Sequence, residues 1–194
     1  MRCNVDKATP NMSNQIYYLP GHGGRLRTGL GEALASRGYE IFGRETVGDF
    51  KKLPFGEQVA LVAQDLTTMF WHEDAKVIAN SFGAYLFLHS QELMKPYIGS
   101  VLLLSPIVGE FENEETRMGF IPPQAEKLRM LAEKGNYPTP KTCEIHVGEL
   151  DWQSNPNNVL KLAGLIDMDV TIVPNAGHML DKKYVSAVLD RWLS

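Results

Sequence analysis

Three residue types that together can activate a hydroxyl group occur in this sequence, each shortly after an apolar, strand-like segment. Ser81 follows KVIA, Asp151 follows CEIHV, and His178 follows DVTIV. A serine hydroxyl is a weak nucleophile at neutral pH, so an imidazole must remove its proton and a carboxylate must orient and stabilise that imidazole. If the segments are parallel strands of one sheet, their carboxyl ends share the edge where ligands bind. This spacing predicts a site for nucleophilic acyl transfer.

Ser81 also has an ordinary structural interpretation, because serine is a common N-cap where a strand passes into a helix. Its surroundings, ANSFG, match the G-x-S-x-G pattern of a sharp strand-to-helix turn with Ala79 in place of the first glycine. Gly83 keeps the second small position, which such a turn needs because the backbone passes close to its neighbours. The alanine adds one methyl group, which a slightly wider gap would accept.

Asp151 as the carboxylate and His178 as the imidazole also have alternative interpretations. Glu149 lies two residues before Asp151 in the same loop and could reach a similar place, although the spacing after Gly148 favours Asp151. A lone histidine is usually structural. His178, however, follows a strand, lies beside Gly177 and precedes a helix, which favours a general base on a loop. The remaining candidates His72, His89 and His146 are interpreted as structural or exposed.

A glycine-rich sequence, PGHGG at residues 20–24, follows the first predicted strand. It fails the dinucleotide-binding pattern G-x-G-x-x-G, because Leu26 stands where the third glycine belongs. The sequence does suit an oxyanion loop, because glycines allow backbone N–H groups to turn toward a developing negative oxygen. The alternative interpretation is a flexible turn between a strand and a helix.

Apolar segments with strand composition alternate with segments of helical periodicity, which is typical of parallel strands joined by crossover helices. We expect an α/β fold with a doubly wound, mostly parallel sheet of about six strands flanked by helices. The predicted strands are 16–19, 39–42, 76–79, 101–104, 143–147 and 169–173. The predicted helices are one that contains Leu26 to Leu34 and stops at Gly38, then 55–70, 82–94, 157–166, and a C-terminal helix capped by Asp181.

Residues 109–141 interrupt this alternation with acidic residues, a Pro-Pro pair and one predicted helix. Two interpretations remain open: a segment that overhangs a ligand cleft, or a surface crossover with polar flanks. The apolar strand VLLL, 101–104, is expected near the middle of the sheet because such runs are covered on both faces.

Composition limits the possible partners. The chain has 194 residues, 44% of them hydrophobic, and a net charge of −4, which gives no electrostatic reason to expect nucleic acid or an anionic membrane. Cys3 and Cys143 are too few for a disulfide framework, and no clustered spacing of metal ligands occurs. We expect a flexible tail over residues 1–14, one domain over 15–194, free thiols and a cytoplasmic location.

In these motifs the chain resembles small serine hydrolases of the α/β-hydrolase superfamily, over roughly residues 15–193. YYLPGHGG resembles the strand and oxyanion loop, ANSFG the nucleophile elbow, VGELDWQSNP the acid loop and NAGHM the histidine loop. The resemblance implies a Ser81, Asp151 and His178 triad, with the backbone amides of His22 and Phe82 as oxyanion donors. It also implies little or no cap over the site.

The activity implied by the resemblance is hydrolysis of a small carboxylic ester through an acyl-enzyme, with a small-molecule acyl substrate and neither a metal nor another cofactor. A thioesterase, amidase or acyltransferase would use the same residues. A hydrolase-like fold that serves only for binding is the alternative from another class, motivated by the imperfect elbow at Ala79. The sequence leaves the oligomeric state open.

Overall fold

Six parallel strands form the central sheet of the computed structural model, which describes residues 14–113 and 117–194. The predicted tail therefore lies outside the described residues except for Asn14. The sheet strands are β1 Gln15–Leu19, β2 Glu40–Gly43, β3 Lys76–Asn80, β4 Ser100–Leu104, β7 Thr142–Gly148 and β8 Asp169–Val173, while β5 Phe111–Asn113 and β6 Met118–Phe120 form a separate antiparallel pair. The sheet order is β2-β1-β3-β4-β7-β8, and every neighbouring pair is parallel.

Helices cover both faces of this sheet. They are α1 Leu30–Ala35, α2 Gly48–Lys52, α3 Phe55–Met69, α4 Phe82–Ser90, α5 Lys127–Glu133, α6 Pro156–Ile166 and α7 Lys182–Trp192, with a 3-10 turn Gln91–Leu93 after α4. Alternate strand residues point to opposite faces. Val77 and Ala79 join the core formed with α3, α4, α5 and α6, whereas Ile78 joins the core formed with α1 and α7. The doubly wound arrangement is confirmed, and β4 lies at the centre as expected.

Some helix boundaries differ from the prediction for local reasons. The first crossover helix was predicted to contain Leu26, but residues 26–29 form turns and the helix begins at Leu30. Its predicted stop is confirmed: Gly38 has a φ of 90°, and its N–H donates to the Ala35 carbonyl at 2.9 Å. The helix predicted over 82–94 is α-helical only as far as Ser90, and the 3-10 turn Gln91–Leu93 follows it. Helix α2 was not predicted, because five residues are too few for helical periodicity.

The segment 109–141 contains the predicted helix, α5, and a β-hairpin that the sequence pattern did not predict. Phe111 of the hairpin packs against Phe120 on its own partner strand and against Trp152, each at 5.6 Å between ring centroids. The Tyr85 hydroxyl of α4 donates to the Pro123 carbonyl at 2.8 Å. The hairpin therefore lies against the loop that carries Asp151, which favours the overhanging interpretation of this segment.

The C-terminal helix α7 begins as predicted. The Asp181 side chain accepts hydrogen bonds from the Lys183 and Tyr184 amides and so satisfies two donors that a helix N-terminus leaves free. Its buried residues Val188 and Leu189 pack on the sheet. Within the described ranges, no helix combines the length and apolar character needed to cross a bilayer.

Candidate active site

The side chains of Ser81, His178 and Asp151 form one hydrogen-bonded chain at the carboxyl edge of the sheet. Ser81 Oγ lies 2.9 Å from His178 Nε2. His178 Nδ1 lies 3.0 Å from both Asp151 Oδ1 and Asp151 Oδ2. Asp151 is buried, while Ser81 and His178 are partly exposed. The carboxylate is thus shielded from solvent behind the imidazole, and the hydroxyl stands at the exposed end where a substrate can reach it.

The loops after β3, β7 and β8 supply these three residues. In the sheet order, β4 lies between β3 and β7, and both β4 and β7 lie between β3 and β8, so the acid loop must reach across one strand and the histidine loop across two to meet the serine. The acid and histidine loops are bonded to each other, since the Leu150 N–H donates to the Ala176 carbonyl at 2.8 Å and the Glu149 N–H to the Val173 carbonyl at 2.9 Å. These backbone contacts fix the relative position of Asp151 and His178.

Ser81 has the strained backbone of a sharp strand-to-helix turn. Its φ is 51° and its ψ is −121°, a conformation that costs a non-glycine residue about 1–3 kcal/mol and persists only where the surroundings enforce it. The Ser81 N–H donates to the Leu104 carbonyl at 3.0 Å, and the Ser81 carbonyl accepts from the Ile107 amide at 3.3 Å. Ser81 occupies the N-cap position of α4, but its side chain makes no capping hydrogen bond. The capping interpretation of this serine is therefore wrong.

The small residues on either side of Ser81 meet different constraints. A Cβ added to Gly83 would lie 2.1 Å from the Leu19 carbonyl oxygen, so a side chain there would force the backbone apart. Ala79 carries a Cβ, is fully buried and pairs in register with Leu19 and Leu103. Its methyl group is part of the apolar core beneath the turn. The strict glycine requirement therefore applies at 83 and not at 79.

Glu149 does not take part in the hydrogen-bonded chain. It is exposed, and its Oε2 accepts from the Asn175 amide at 2.9 Å, which holds the turn before the histidine loop. Asp151 instead places both oxygens at His178, and its Oδ1 also accepts from the Gln153 and Ser154 amides at 3.0 and 2.9 Å. The expected preference for Asp151 over Glu149 agrees with this geometry.

The glycine-rich loop lies next to the serine. A Cβ built on Gly21 would stand 3.0 Å from Asn80 Nδ2 and 3.2 Å from Ser81 Cβ, so a side chain there would require these neighbours to shift. His22, the next residue, is exposed, and its ring packs edge-on against Phe82 with centroids 5.8 Å apart. Phe82 is the first residue of α4, where a backbone N–H has no carbonyl partner within the helix. Of the two residues whose amides are implied as oxyanion donors, Phe82 follows Ser81 in sequence and His22 lies near it in space, in contact with Phe82.

Comparison with solved structures relates this architecture to known proteins. A monoacylglycerol lipase from Paleococcus ferrophilus superposes with a TM-score of 0.67 at 12% identity, over 92% of this chain and 93% of that one. The ydeN gene product from B. subtilis gives 0.64 at 16% identity, over 92% and 98%. Alpha/beta hydrolase domain-containing protein 10 from mouse gives 0.64 at 13% identity, over 92% and 89%.

The chain has the α/β-hydrolase fold. No family model and no curated protein matched the sequence, so this assignment depends on the three-dimensional likeness and on the sheet order. At 16% identity or less, these neighbours describe the fold of this chain and leave its chemistry to be argued from its own residues.

Within this α/β-hydrolase fold, two hydroxyl side chains support the site in ways that the sequence pattern did not reveal. Thr46, buried after β2, donates to the Gly21 carbonyl, and its Oγ1 accepts from the Gly24 amide at 2.9 Å. Ser154 is fully buried, and its Oγ donates to the Ser105 carbonyl at 2.7 Å. Thr46 lies outside the quoted motifs and Ser154 lies within the acid-loop motif, but the sequence does not reveal the role of either hydroxyl, because each acts on a loop distant in sequence.

Another cluster of ionisable side chains stabilises the framework of this α/β-hydrolase fold. Asp65 on α3 accepts from the Arg44 guanidinium through both oxygens at 2.6 and 2.7 Å, and from the Tyr17 hydroxyl at 2.7 Å. Burial, and secondarily the charge of Asp65, raises the pKa of Tyr17 well above its ordinary value. This network ties β1 and the end of β2 to α3, so its charges are paired.

The remaining histidines differ in their surroundings. His146 on β7 is buried, with Nδ1 2.6 Å from the Tyr184 hydroxyl and Nε2 2.6 Å from Glu144 Oε1, which makes it structural as expected. His89 is buried on α4, where burial, with a smaller contribution from the charge of Lys127, lowers its pKa to about 3. Within residues 14–113 and 117–194, no three or more His, Cys, Asp or Glu side chains converge in a metal-binding arrangement.

Proposed function

We propose that this protein is a serine hydrolase that cleaves a carboxylic ester through an acyl-enzyme. The observation that carries the proposal is the continuous hydrogen-bonded chain from Ser81 Oγ through His178 to the buried Asp151, with Ser81 on a strained turn. If the serine only capped a helix, the carboxylate lay on the surface and the histidine were structural, nothing would bring the three side chains into hydrogen bonds in this order. Two structural neighbours described as a monoacylglycerol lipase and an alpha/beta hydrolase domain-containing protein give further support.

The proposed reaction proceeds in two halves. His178 Nε2 takes the Ser81 proton as Oγ attacks the ester carbonyl, and Asp151 stabilises the resulting imidazolium. The backbone amides of His22 and Phe82 hold the oxyanion of the tetrahedral intermediate. His178 then protonates the departing alcohol as the carbonyl re-forms. A water molecule, deprotonated by His178, attacks the acyl-enzyme, and Ser81 recovers its proton when the acid leaves.

Labelling with a fluorophosphonate tests this function directly. The probe forms a covalent bond with an activated serine, and mass spectrometry of the folded protein is expected to locate it on Ser81. Ser90→Ala is the matched control, because Ser90 is a fully buried serine at the far end of α4 whose hydroxyl donates to the Phe87 carbonyl. Labelling should vanish in Ser81→Ala and persist in the control. Folded protein that remains unlabelled at Ser81 contradicts the proposal and favours a binding-only role.

Substrate class is tested by comparing matched p-nitrophenyl esters, thioesters and anilides that carry the same acyl group. We expect the ester to have the highest kcat/KM relative to its uncatalysed hydrolysis. A thioester or an anilide that exceeds the ester by this measure would transfer the proposal to a thioesterase or an amidase with the same three residues.

A further inference from the structure

The glycine-rich loop beside Ser81 forms a tight turn over residues 21–24. The Gly24 N–H donates to the Gly21 carbonyl at 2.9 Å, and Gly23 has a φ of 75°, which residues with a side chain rarely adopt. Three of the four residues are glycine, so the backbone of this turn has unusual conformational freedom. A turn of this composition needs contacts from outside to hold its peptide groups in one direction.

Thr46, which follows β2, supplies such contacts at both ends of the turn. Its hydroxyl donates to the Gly21 carbonyl and accepts from the Gly24 amide at 2.9 Å. Its own N–H donates to the Gly24 carbonyl at 3.1 Å. Thr46 is buried, so water does not compete strongly for these bonds, and its branched side chain has restricted rotamers. One residue thus holds the turn through three hydrogen bonds.

The bond from Thr46 to the Gly21 carbonyl also determines where the His22 N–H points. These two groups belong to the same peptide unit, which is planar and trans, so they point in opposite directions. Gly21 itself stands against Ser81, since a Cβ built on it would lie 3.2 Å from Ser81 Cβ. Across residues 14–113 and 117–194, the His22 N–H donates to no other group of the protein. It is therefore a donor that is fixed in direction and open to a ligand.

We infer that Thr46 is a positioning residue for the reaction at Ser81: it holds the His22 N–H in the direction needed by the negative oxygen of the tetrahedral intermediate. The inference depends on the proposed hydrolase function and adds a residue that acts through the peptide group between Gly21 and His22. The hydrogen bonds of Thr46 already exist before substrate arrives, so the donor needs no reorganisation as the charge develops.

Thr46→Val tests this role, because valine keeps the branched shape and removes the hydroxyl. Per Ser81 that a fluorophosphonate can label, kcat for p-nitrophenyl butyrate should fall by about tenfold, and KM should change by less than about twofold. Thr46→Ser keeps the hydroxyl and should stay within about threefold of the unmodified protein. Thr67→Val is the matched control, because Thr67 donates to the Ala63 carbonyl at 2.8 Å within α3.

A thionoester separates the direction of the donor from a general loss of structure. In the thiono analogue of p-nitrophenyl butyrate, sulfur replaces the carbonyl oxygen and accepts hydrogen bonds poorly, while the leaving group is unchanged. The ratio of kcat/KM for the oxygen ester to that for the thionoester should fall by about fivefold in Thr46→Val and remain unchanged in Thr67→Val. If Thr46→Val does not fold, Thr46→Ser and Thr46→Ala give the same comparison, since they differ only by the hydroxyl.

The inference alone is overturned if the unmodified protein hydrolyses the ester and the hydroxyl-free variants keep its ratio of ester to thionoester turnover. A structural role would produce this result, because it would lower both rates equally. Failure of Thr46→Ser to retain activity would also reject the inference, since the hydroxyl would then not be the group that matters. If neither ester is hydrolysed and Ser81 is not labelled, the proposed function fails and the inference fails with it.

Discussion

Ser154 offers the sharpest test of how the site is held together. Its Oγ donates to the Ser105 carbonyl at 2.7 Å and lies 3.4 Å from His178 Nδ1, and its amide donates to Asp151 Oδ1 at 2.9 Å. Because the hydroxyl hydrogen is committed to Ser105, the oxygen faces the imidazole as an acceptor. Ser154 is thus a positioning residue: its oxygen, like the Asp151 carboxylate, favours the imidazole tautomer with the proton on Nδ1, and its amide holds Asp151 in place.

Replacement by alanine removes both hydroxyl contacts while the amide bond to Asp151 can remain. We expect Ser154→Ala to lower kcat by about tenfold, since a difference of one hydrogen bond between ground and transition states changes a rate by roughly that factor. KM should change by less than about twofold, because the side chain is fully buried and does not contact substrate. The unsatisfied Ser105 carbonyl should also lower the free energy of unfolding by about 1–3 kcal/mol.

Ser90→Ala separates positioning from stability. The Ser90 hydroxyl is as buried as that of Ser154 and donates to the Phe87 carbonyl at the same distance, 2.7 Å, but it lies at the far end of α4. The assays are steady-state ester hydrolysis and urea denaturation of both variants. The reasoning is refuted if Ser154→Ala retains the kcat of Ser90→Ala, or if its loss of activity is fully explained by a smaller folded fraction.

The remaining predictions concern the acid and the buried histidine. Asp151→Asn should reduce kcat by about 10⁴-fold by removing the charge that supports the imidazolium, whereas Glu149→Gln should stay within about twofold; equal losses in steady-state assays would reject the assignment of Asp151. Burial lowers the pKa of His89 from 6.5 to about 3 in the folded protein. As the pH decreases from 6.5 toward 3, the His89 side chain therefore gains a proton in the unfolded chain before it does so in the folded protein, and the free energy of unfolding falls. His89→Leu should make that fall shallower by up to about 1.4 kcal/mol per pH unit in urea titrations between pH 6 and 4, and an unchanged slope would contradict it.

Much of the fold could be predicted because its signals are local. The apolar run of β4 and the periodic stripe of α3 each lie within one continuous segment, and both elements occur where the pattern indicated. The Asp181 cap was also predictable, since it binds amides two and three residues away. The hairpin was missed because its strands have three residues each and gain their place from Trp152, outside the segment.

By itself, the sequence determined the α/β architecture and proposed Ser81, Asp151 and His178, because residue type and position after a strand are properties of the chain. The spacing after Gly148 favoured Asp151 over Glu149, but the hydrogen bonds that separate their roles are seen only in the folded chain, since both residues occupy one loop and differ in what they face. The tertiary structure also revealed Ser154, whose carbonyl partner lies 49 residues away. A hydrogen bond depends on the distance and direction between two groups in space. The periodicity of strands and helices in the sequence gives neither quantity for two loops that are distant in sequence.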